Sequence, residues 1–556
     1  MTNREVARTL DRIADILLIK DENIFKVRAY RKAAESVYHL DENLIVLYEQ
    51  NKIGDIPGVG KAVKTHIEEM LEKDSCEYYE NLLKEVPFGV LEMLAIPGLG
   101  HKTVRVIYEE LGIDNVEDLA SAVEDKKIRK LPGLGSKSEY NIKKGIEFLH
   151  KSYGKANLGV ALPIAEDFLR VLQNSKGVQK ASIVGSARRG KALVSDIDIL
   201  VATNDYENVK DTIINYKAVK KIKSVGKDLI GGEFGYNIEF EVILVDLADY
   251  IHSLVWTTGS KDFCEELFNG VNRSEYTNIP DEFRFFEKLD LQYIPPELRE
   301  NRGEIELART YKLPDLIKEE DLKGDLHIHS DWSDGSNKIS EIADACKELG
   351  YSYMAITDHS KSLPISGGLN EERLFEEGKV IDTLNQHMED FTILKGIEVD
   401  IMKDGSLDFS DEILEELDIV VASIHSNFKL DKDKQTDRLL NAMKNEHVDI
   451  IGHLTGRLLN RRPGYELHLD KILESAAENN IIFEINSHPD RLDIDENMAR
   501  RASQYGIKIA INSDAHRIED LKNRRYGVIN ARRGWLTPAD VVNTWDFETL
   551  TKYLKE

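Results

Sequence analysis

Cysteine is scarce in this chain of 556 residues: Cys76, Cys264 and Cys346 stand far apart, and none belongs to a C-x-x-C pair. That excludes a disulfide framework and a thiolate zinc site, and it fits a reducing cytoplasm. Long apolar runs are missing too. No stretch approaches the roughly 18 apolar residues that a bilayer span needs, so no membrane segment is expected. The start, MTNREVARTLDRIADIL, is charged and amphipathic and lacks the apolar core of a signal peptide. Net positive charge is absent as well, the formal charge being −26. A phosphate-binding surface is normally basic, so this balance sits awkwardly with a nucleic-acid partner. The acid is uneven: about −5 in residues 1–150, about −4 in 151–310 and about −17 in 311–556. Bound divalent cations would offset part of the last figure. General surface acidity for solubility accounts for it equally well.

The length allows three or four domains, each with its own core. Residues 1–150 read as helical, with Val6, Leu10, Ile13, Ile16 and Leu17 at helical spacing. This segment carries an internal repeat: IPGVGKAV (56–63), IPGLGHKTV (96–104) and LPGLGSKSE (131–139). A P-G-x-G turn presents backbone N–H groups at a helix start, where an anionic phosphate is favoured. Gly58, Gly60, Gly98, Gly100, Gly133 and Gly135 are therefore candidates for sequence-independent contact with a DNA backbone. The plainer reading is three tight turns that need glycine for positive φ. The threefold recurrence favours the first. A polar stretch, HKSYGKANLG (150–159), marks a boundary.

Residues 160–310 mix helices and strands. SIVGSARRG leads into SDIDILVAT, and IEFEVILVDL reads as a second buried strand. Asp196 and Asp198 lie at i and i+2, on one face of a strand. Two carboxylates so placed can hold two Mg²⁺ or Mn²⁺ ions for in-line phosphoryl transfer. Upstream, Gly185 and Ser186 open the GSARRG loop. It offers backbone N–H groups, a hydroxyl and Arg188 or Arg189 to a triphosphate. A D-x-D alone is weak, whereas G-S-x-R-R-G followed by S-D-I-D is specific. A solvated turn with two exposed acids is the plain alternative, and the apolar residues between and after the acids argue against it.

Residues 325–556 alternate short strands with helices: YMAITDH, FTILKGIEV, IVVASIH, VDIIGHL, IIFEINS and IKIAINSDAH. That rhythm implies βα units in a barrel or parallel sheet, with function at the C-terminal strand ends. His327 and His329 fall in DLHIHS, Asp334 in SDG, His359 in TDHS and Glu398 in GIEVDI. His425 follows in ASIHS, His453 in GHLTGR, and Asp514 with His516 in NSDAH. Imidazoles and carboxylates without cysteine suit Mn²⁺, Zn²⁺ or Fe²⁺. These nine residues suffice for three ions, with Glu398 bridging, and such ions activate water for attack on phosphorus. A lone histidine is usually structural, and His387, His447, His468 and His488 read that way. Asp358, beside His359, reads as a group that orients a ligand. Arg457 and Arg491 are candidates to hold the scissile or flanking phosphate.

The glycine hairpins, with NIFKVRAYRKAAESV (23–37), resemble the amino-terminal region of the family X DNA polymerases. The GSARRG–SDID stretch resembles their palm. TGSK (258–261) and YIPPELRE (293–300) match two later motifs in order, with Gly259 at a nucleotide-binding position. The histidine-rich half resembles the PHP (polymerase and histidinol phosphatase) domain that bacterial and archaeal members carry. ARRGWL (531–536) matches a family tail and is assigned no chemistry. The resemblance spans essentially the whole chain and implies a multidomain α and α/β fold. Its parts are an N-terminal helical domain with the first helix-hairpin-helix (1–85) and a fingers-like helical domain with the other two (86–152). A nucleotidyltransferase palm (153–250), a shortened thumb (251–310), a linker (311–324) and a distorted (β/α)7 PHP barrel (325–556) follow. It further implies gap-filling nucleotidyl transfer and a metal-dependent 3′–5′ exonuclease or 3′-end phosphoesterase. The partners would be gapped or nicked DNA and deoxynucleoside triphosphates, and the protein a cytoplasmic monomer involved in DNA repair.

Several positions depart from the family pattern. The third palm acid, an Asp in the family, is here Glu241 in EVILV. The aromatic before TGS is Thr257, a later Asn is Cys264, and the stretch between TGSK and YIPPELRE is short. Where eukaryotic relatives place a Schiff-base lysine, an ungapped match puts His66, with Lys61 and Lys64 offset. Two rival readings therefore stand beside the main one. One is a nuclease or phosphatase on DNA ends with a weak or inactive palm. The other is a non-catalytic DNA-end scaffold, against which the complete ligand set argues.

Overall fold

Each P-G-x-G repeat closes the same way in the computed structural model. The residue between the glycines donates its N–H to the residue before the proline: Val59 to Ile56 O (3.0 Å), Leu99 to Ile96 O (3.0 Å) and Leu134 to Leu131 O (3.1 Å). The first glycine of each takes positive φ, +82° at Gly58, +84° at Gly98 and +73° at Gly133, a conformation open to glycine at little cost. Gly60 and Gly100 then cap the helices Lys61–Lys73 and His101–Leu111, and Gly135 precedes the helix Ser136–Ser152. A Cβ at Gly98, Gly100, Gly133 or Gly135 would meet nothing within 4 Å, so these backbones face open space. The apolar stripe Val6, Leu10, Ile13, Ile16 and Leu17 is fully buried in one helical core.

The structure describes residues 1, 3–38, 40, 42–152, 154–235 and 238–554, and these divide into two units between residues 153 and 154. Among the described residues of the first, every regular element is a helix.

The second unit opens with a five-stranded sheet in the order Val178–Ile183, Asp196–Thr203, Glu239–Val245, Leu229–Phe234, Val219–Val225. Asp196–Thr203 and Glu239–Val245 run parallel and the other pairs antiparallel. The helix Leu158–Gln173 covers one face through Phe168, which packs edge-on against Phe234 and Phe240. The short helices Tyr250–Thr258, Lys261–Leu267, Glu282–Lys288 and Glu304–Arg309 share a core built on Phe263, Phe285 and Phe286. In that core the fully buried Arg299 donates to Glu282 Oε1 at 2.7 Å and to Ile294 O at 2.9 Å.

Next, seven parallel strands follow one another around a nearly closed barrel: Gly324–Ile328, Tyr353–Ile356, Thr392–Asp400, Ile419–Ser423, Ile450–Ile451, Ile482–Asn486 and Ile509–Asn512. A parallel bridge from Ile328 to Ala515 brings the first strand against the last. This is the expected (β/α)7 architecture. The tract 311–324 is itself packed, with Leu313, Leu316, Ile317 and Leu322 buried and Ile317 N–H bonded to Leu536 O. Among the described residues no helix is long and apolar enough to cross a membrane.

Candidate active sites

Strand pairing builds the palm site. In the parallel ladder Asp196 lies opposite Glu239 and Asp198 opposite Glu241. With a period of two, all four acids project from the same face. Glu239 is drawn off by Lys223 at 2.7 Å, which leaves Asp196, Asp198 and Glu241 to share the centre. Burial, then the charges of Asp196 and Glu241, push the Asp198 carboxyl up to about 7. Burial, then Glu239, raises Asp196. Asp196 and Asp198 are half-buried and Glu241 is exposed, and neighbouring acids that resist ionisation in this way are poised to take up divalent cations.

The GSARRG loop lies on these acids. A Cβ at Gly185, whose φ is +64°, would come within 2.0 Å of Asp198 Oδ2, so only glycine allows this approach. The Ser186 hydroxyl is buried without a hydrogen-bond partner. Arg188 and Arg189 are both engaged with the helical subdomain. Arg188 pairs with Glu282 (2.5 Å) and donates to Thr258 Oγ1, while Arg189 pairs with Glu300 (3.0 Å) and donates to Thr258 O. Gly259 follows directly, too tightly packed against Phe263 and Cys264 for a Cβ.

The barrel brings all nine expected ligands together. Glu398, with no side-chain exposure, is the centre: His359 Nδ1 lies 2.8 Å away, His453 Nε2 3.0 Å, His425 Nε2 3.3 Å, His327 Nε2 3.5 Å and His329 Nε2 3.6 Å. Three subsets have ligand atoms mutually within 4.8 Å: His329, Asp334, His359 and His516; His327, His329 and Asp514; His359, Glu398 and His425. His359 Nδ1 and Glu398 Oε2 approach to 2.8 Å, yet neither has a hydrogen-bond partner. Although His453 Nε2 bonds to Glu398 Oε1 and His329 Nε2 to His327 Nε2, five imidazoles crowded on one buried carboxylate fit the ligands of a shared cation, and the N/O set suits a divalent metal. His453 (φ +28°) and Asp514 (φ +53°) hold left-handed backbone at strand ends. Strain of about 1–3 kcal/mol per residue is typical of such positions at functional sites.

The electrostatics agree. Burial opposes the Glu398 charge, but the His425, His327 and His359 rings hold its carboxyl well below the usual range. Against burial, Glu398 and Asp334 raise His359 to about 10, and Asp334 and Asp514 raise His516 to about 9. His329 goes the other way, down to about 4, through burial and the neighbouring His516 and His359. One cluster thus holds imidazoles that favour and disfavour the proton, around carboxylates that stay ionised.

Outside that set, Glu484 accepts from His327 Nδ1 at 2.7 Å, and Asp400 meets His425 Nδ1 at 3.1 Å. Asn486 donates to Asp514 Oδ2 at 2.8 Å. Asp325 accepts the His327 and Ser513 N–H groups. Asp358 accepts from Ser330 N and from the Ser330 and Ser333 hydroxyls, which fixes the loop before Asp334. Such contacts set the orientation of metal-ligating rings. Glu484 and Asn486 escaped the sequence reading. Their one signal is a polar residue at alternate positions of an otherwise apolar strand, IIFEINS.

The two candidate phosphate arginines differ. Arg491 Nε lies 3.6 Å from Asp514 Oδ2, at the edge of the ligand set. Arg457 is spent on the Arg491 and Leu492 carbonyls, with Asp495 3.5 Å away. His387 and His468 bond to Thr383 O and Asp433, away from the cluster. In the N-terminal unit, His66 stacks on Tyr78 and bonds to the Tyr30 hydroxyl, and burial lowers its pKa. Lys64 turns to Asn51 and Glu68.

Comparison with protein families matches residues 1–76 to a helix-hairpin-helix domain and 90–147 to a SAM-like helix-hairpin-helix tandem. Residues 166–251 match a nucleotidyltransferase domain and 325–488 a PHP domain. The chain is 37% identical over 573 aligned positions to the DNA polymerase/3′-5′ exonuclease PolX of Bacillus subtilis, covering 100% of both. A probable phosphatase of Thermoanaerobacter sp. is 34% identical over 243 residues, which is 42% of this chain and 94% of that one. One from Vibrio atlanticus is 31% identical over 207 residues, 35% of this chain and 79% of its own. The full-length likeness, in the domain order that the two sites require, makes this chain a member of the PHP-containing family X DNA polymerases.

Proposed function

We propose that this protein fills gaps in DNA and trims 3′ ends from two separate phosphoryl-transfer sites. Asp196, Asp198 and Glu241 would hold two Mg²⁺ or Mn²⁺ ions, and the Gly185–Gly190 backbone with Ser186 and Gly259 would seat a deoxynucleoside triphosphate. His327, His329, Asp334, His359, Glu398, His425, His453, Asp514 and His516 would hold three Mn²⁺, Zn²⁺ or Fe²⁺ ions. Bound there, such ions neutralise phosphate charge and acidify water. Around them, the chain's own groups orient the ligands: Glu484 fixes the His327 ring, Asp400 that of His425 and Asn486 the Asp514 carboxylate. Arg491, rather than Arg457, has a guanidinium beside the ligand set to take a phosphate oxygen. The three glycine hairpins would grip the backbone of gapped or nicked duplex. The protein would act as a cytoplasmic monomer.

The observation that carries this reading is the convergence of the barrel ligands on Glu398 in the same chain as the Asp198–Glu241 pair. Nucleotide incorporation and 3′-label release on one gapped substrate, with Mn²⁺ and with chelator, test it. Metal-dependent activity of both kinds supports it, and loss of either one narrows it.

A second reading, a nuclease or phosphatase with a weak palm, draws on two side chains. Thr257 turns its hydroxyl to Ser253 O of its own helix (2.7 Å). Cys264 is buried, with a thiol pushed up to about 11 by burial and bonded to Trp256 O. Neither offers a group to a nucleotide. Label release without incorporation would favour this reading.

A further inference from the structure

The tail ARRGWL, to which the sequence assigns no chemistry, reaches the palm. The helix Arg524–Arg533 packs on the barrel strands Ile482–Asn486 and Ile509–Asn512. Its last residue, Arg533, is only 2% exposed. Arg533 Nη1 donates to the Arg189 carbonyl at 2.7 Å and to Glu300 Oε1 at 3.1 Å, and Nη2 donates to Glu496 Oε1 at 2.9 Å. Glu300 in turn accepts from Arg189 Nε at 3.0 Å and has Lys191 Nζ 3.5 Å away. Beside this fork, Gly190 (φ +66°) lies so close to the same helix that a Cβ would stand 2.1 Å from Ile529 Cγ2. Arg302 donates to the Arg533 carbonyl at 2.9 Å, and Arg532 pairs with Glu297 at 2.6 Å.

The GSARRG loop is therefore held at both ends. Gly185 rests on Asp198, and the exit at Arg189–Gly190 is clamped by a helix of the PHP domain. A planar guanidinium that serves three acceptors from a buried site fixes direction as well as distance. We infer that Arg533 is a positioning residue of the polymerase: the PHP domain sets the nucleotide loop at its working distance from the palm acids. This rests on the reading of Gly185–Gly190 as the triphosphate seat.

The full-length protein tests it through steady-state kinetics of single-nucleotide insertion and 3′-label release. Arg533→Gln raises KM for the incoming nucleotide tenfold or more, since displacement by about 1 Å costs up to about a hundredfold at such sites. kcat changes less, and label release stays within about twofold of wild type. Arg533→Lys keeps the charge without the fork, falls between the two, and decides the matter if the Gln variant does not fold. A merely structural role would lower both activities and the melting temperature together, without the KM split, and that result overturns the inference. So does an unchanged KM in Arg533→Lys and in Arg533→Gln. Ser186→Ala separates the two layers. If it raises KM while the Arg533 variants do not, the seat stands and the clamp fails. If it too leaves KM unchanged, the reading of the loop as the seat fails.

Discussion

Glu241 stands directly across the parallel ladder from Asp198, on the face that also carries Asp196. The longer glutamate is therefore placed where a third ligand would be, and its extra methylene shifts the carboxylate by about a bond length. Glu241→Ala should abolish nucleotide incorporation, and Glu241→Asp should keep or raise it. Primer extension on a gapped template measures both. Extension by the alanine variant at the wild-type rate would remove Glu241 from the site.

The crowding of acids around Asp198 has a pH signature in the metal-free protein. The folded state keeps the Asp198 proton up to about 7, whereas the unfolded chain releases it near the ordinary value of 3.8. Stability therefore falls as pH rises between those values. Asp198→Asn removes that loss. With chelator at pH 8 the variant should melt above wild type, each kcal/mol gained being worth roughly 2–4 °C. At pH 4 the two should coincide. A wild type that melts above the variant at pH 8 contradicts this, and the same variant should incorporate no nucleotide.

Glu484 is the barrel residue whose loss should be felt most among those that touch no ion. It is fully buried and bonded to His327 Nδ1 at 2.7 Å. Glu484→Gln should lower 3′-label release or metal affinity by about 10–100-fold, as orienting partners of metal ligands do. Titration of Mn²⁺ into the apo protein, followed by activity, checks it; an unchanged midpoint and rate would leave Glu484 a packing residue.

Gly98→Ala with Gly133→Ala probes the hairpins. A Cβ at either position meets no neighbour, so the cost is the left-handed backbone alone, about 1–2 kcal/mol each. Affinity for gapped duplex should drop by about tenfold, equally for unrelated sequences, because backbone N–H groups read no bases. A loss that depends on sequence would point to base contacts instead.

The nine barrel ligands were legible because they fall in short local motifs at the ends of six of the seven strands, and a barrel gathers strand ends at one mouth. Glu484 was not, since its partner His327 is 157 residues away on a strand that does not adjoin its own, and only closure of the barrel brings the two together. The same holds for Arg188 and Arg189. The sequence offers both as free cations near a triphosphate, but Glu282 and Glu300, about a hundred residues on, occupy them. Arg457 and Arg491 read alike in sequence. Only the turn 488–492 decides that one faces backbone carbonyls and the other the ligand set. Glu241 was singled out by the family resemblance, and the register that sets it opposite Asp198 comes from the parallel ladder.

The separation of the two chemistries is tested most directly by 3′-label release and nucleotide incorporation measured side by side with Mn²⁺ for wild type and the His327→Ala/Asp514→Ala double variant, with elemental analysis of both proteins. The double variant should lose release by at least about a hundredfold, retain incorporation, and bind fewer ions than the wild type, which should carry two or three in the barrel. Full trimming by the double variant, or fewer than two divalent ions per wild-type chain, would contradict it.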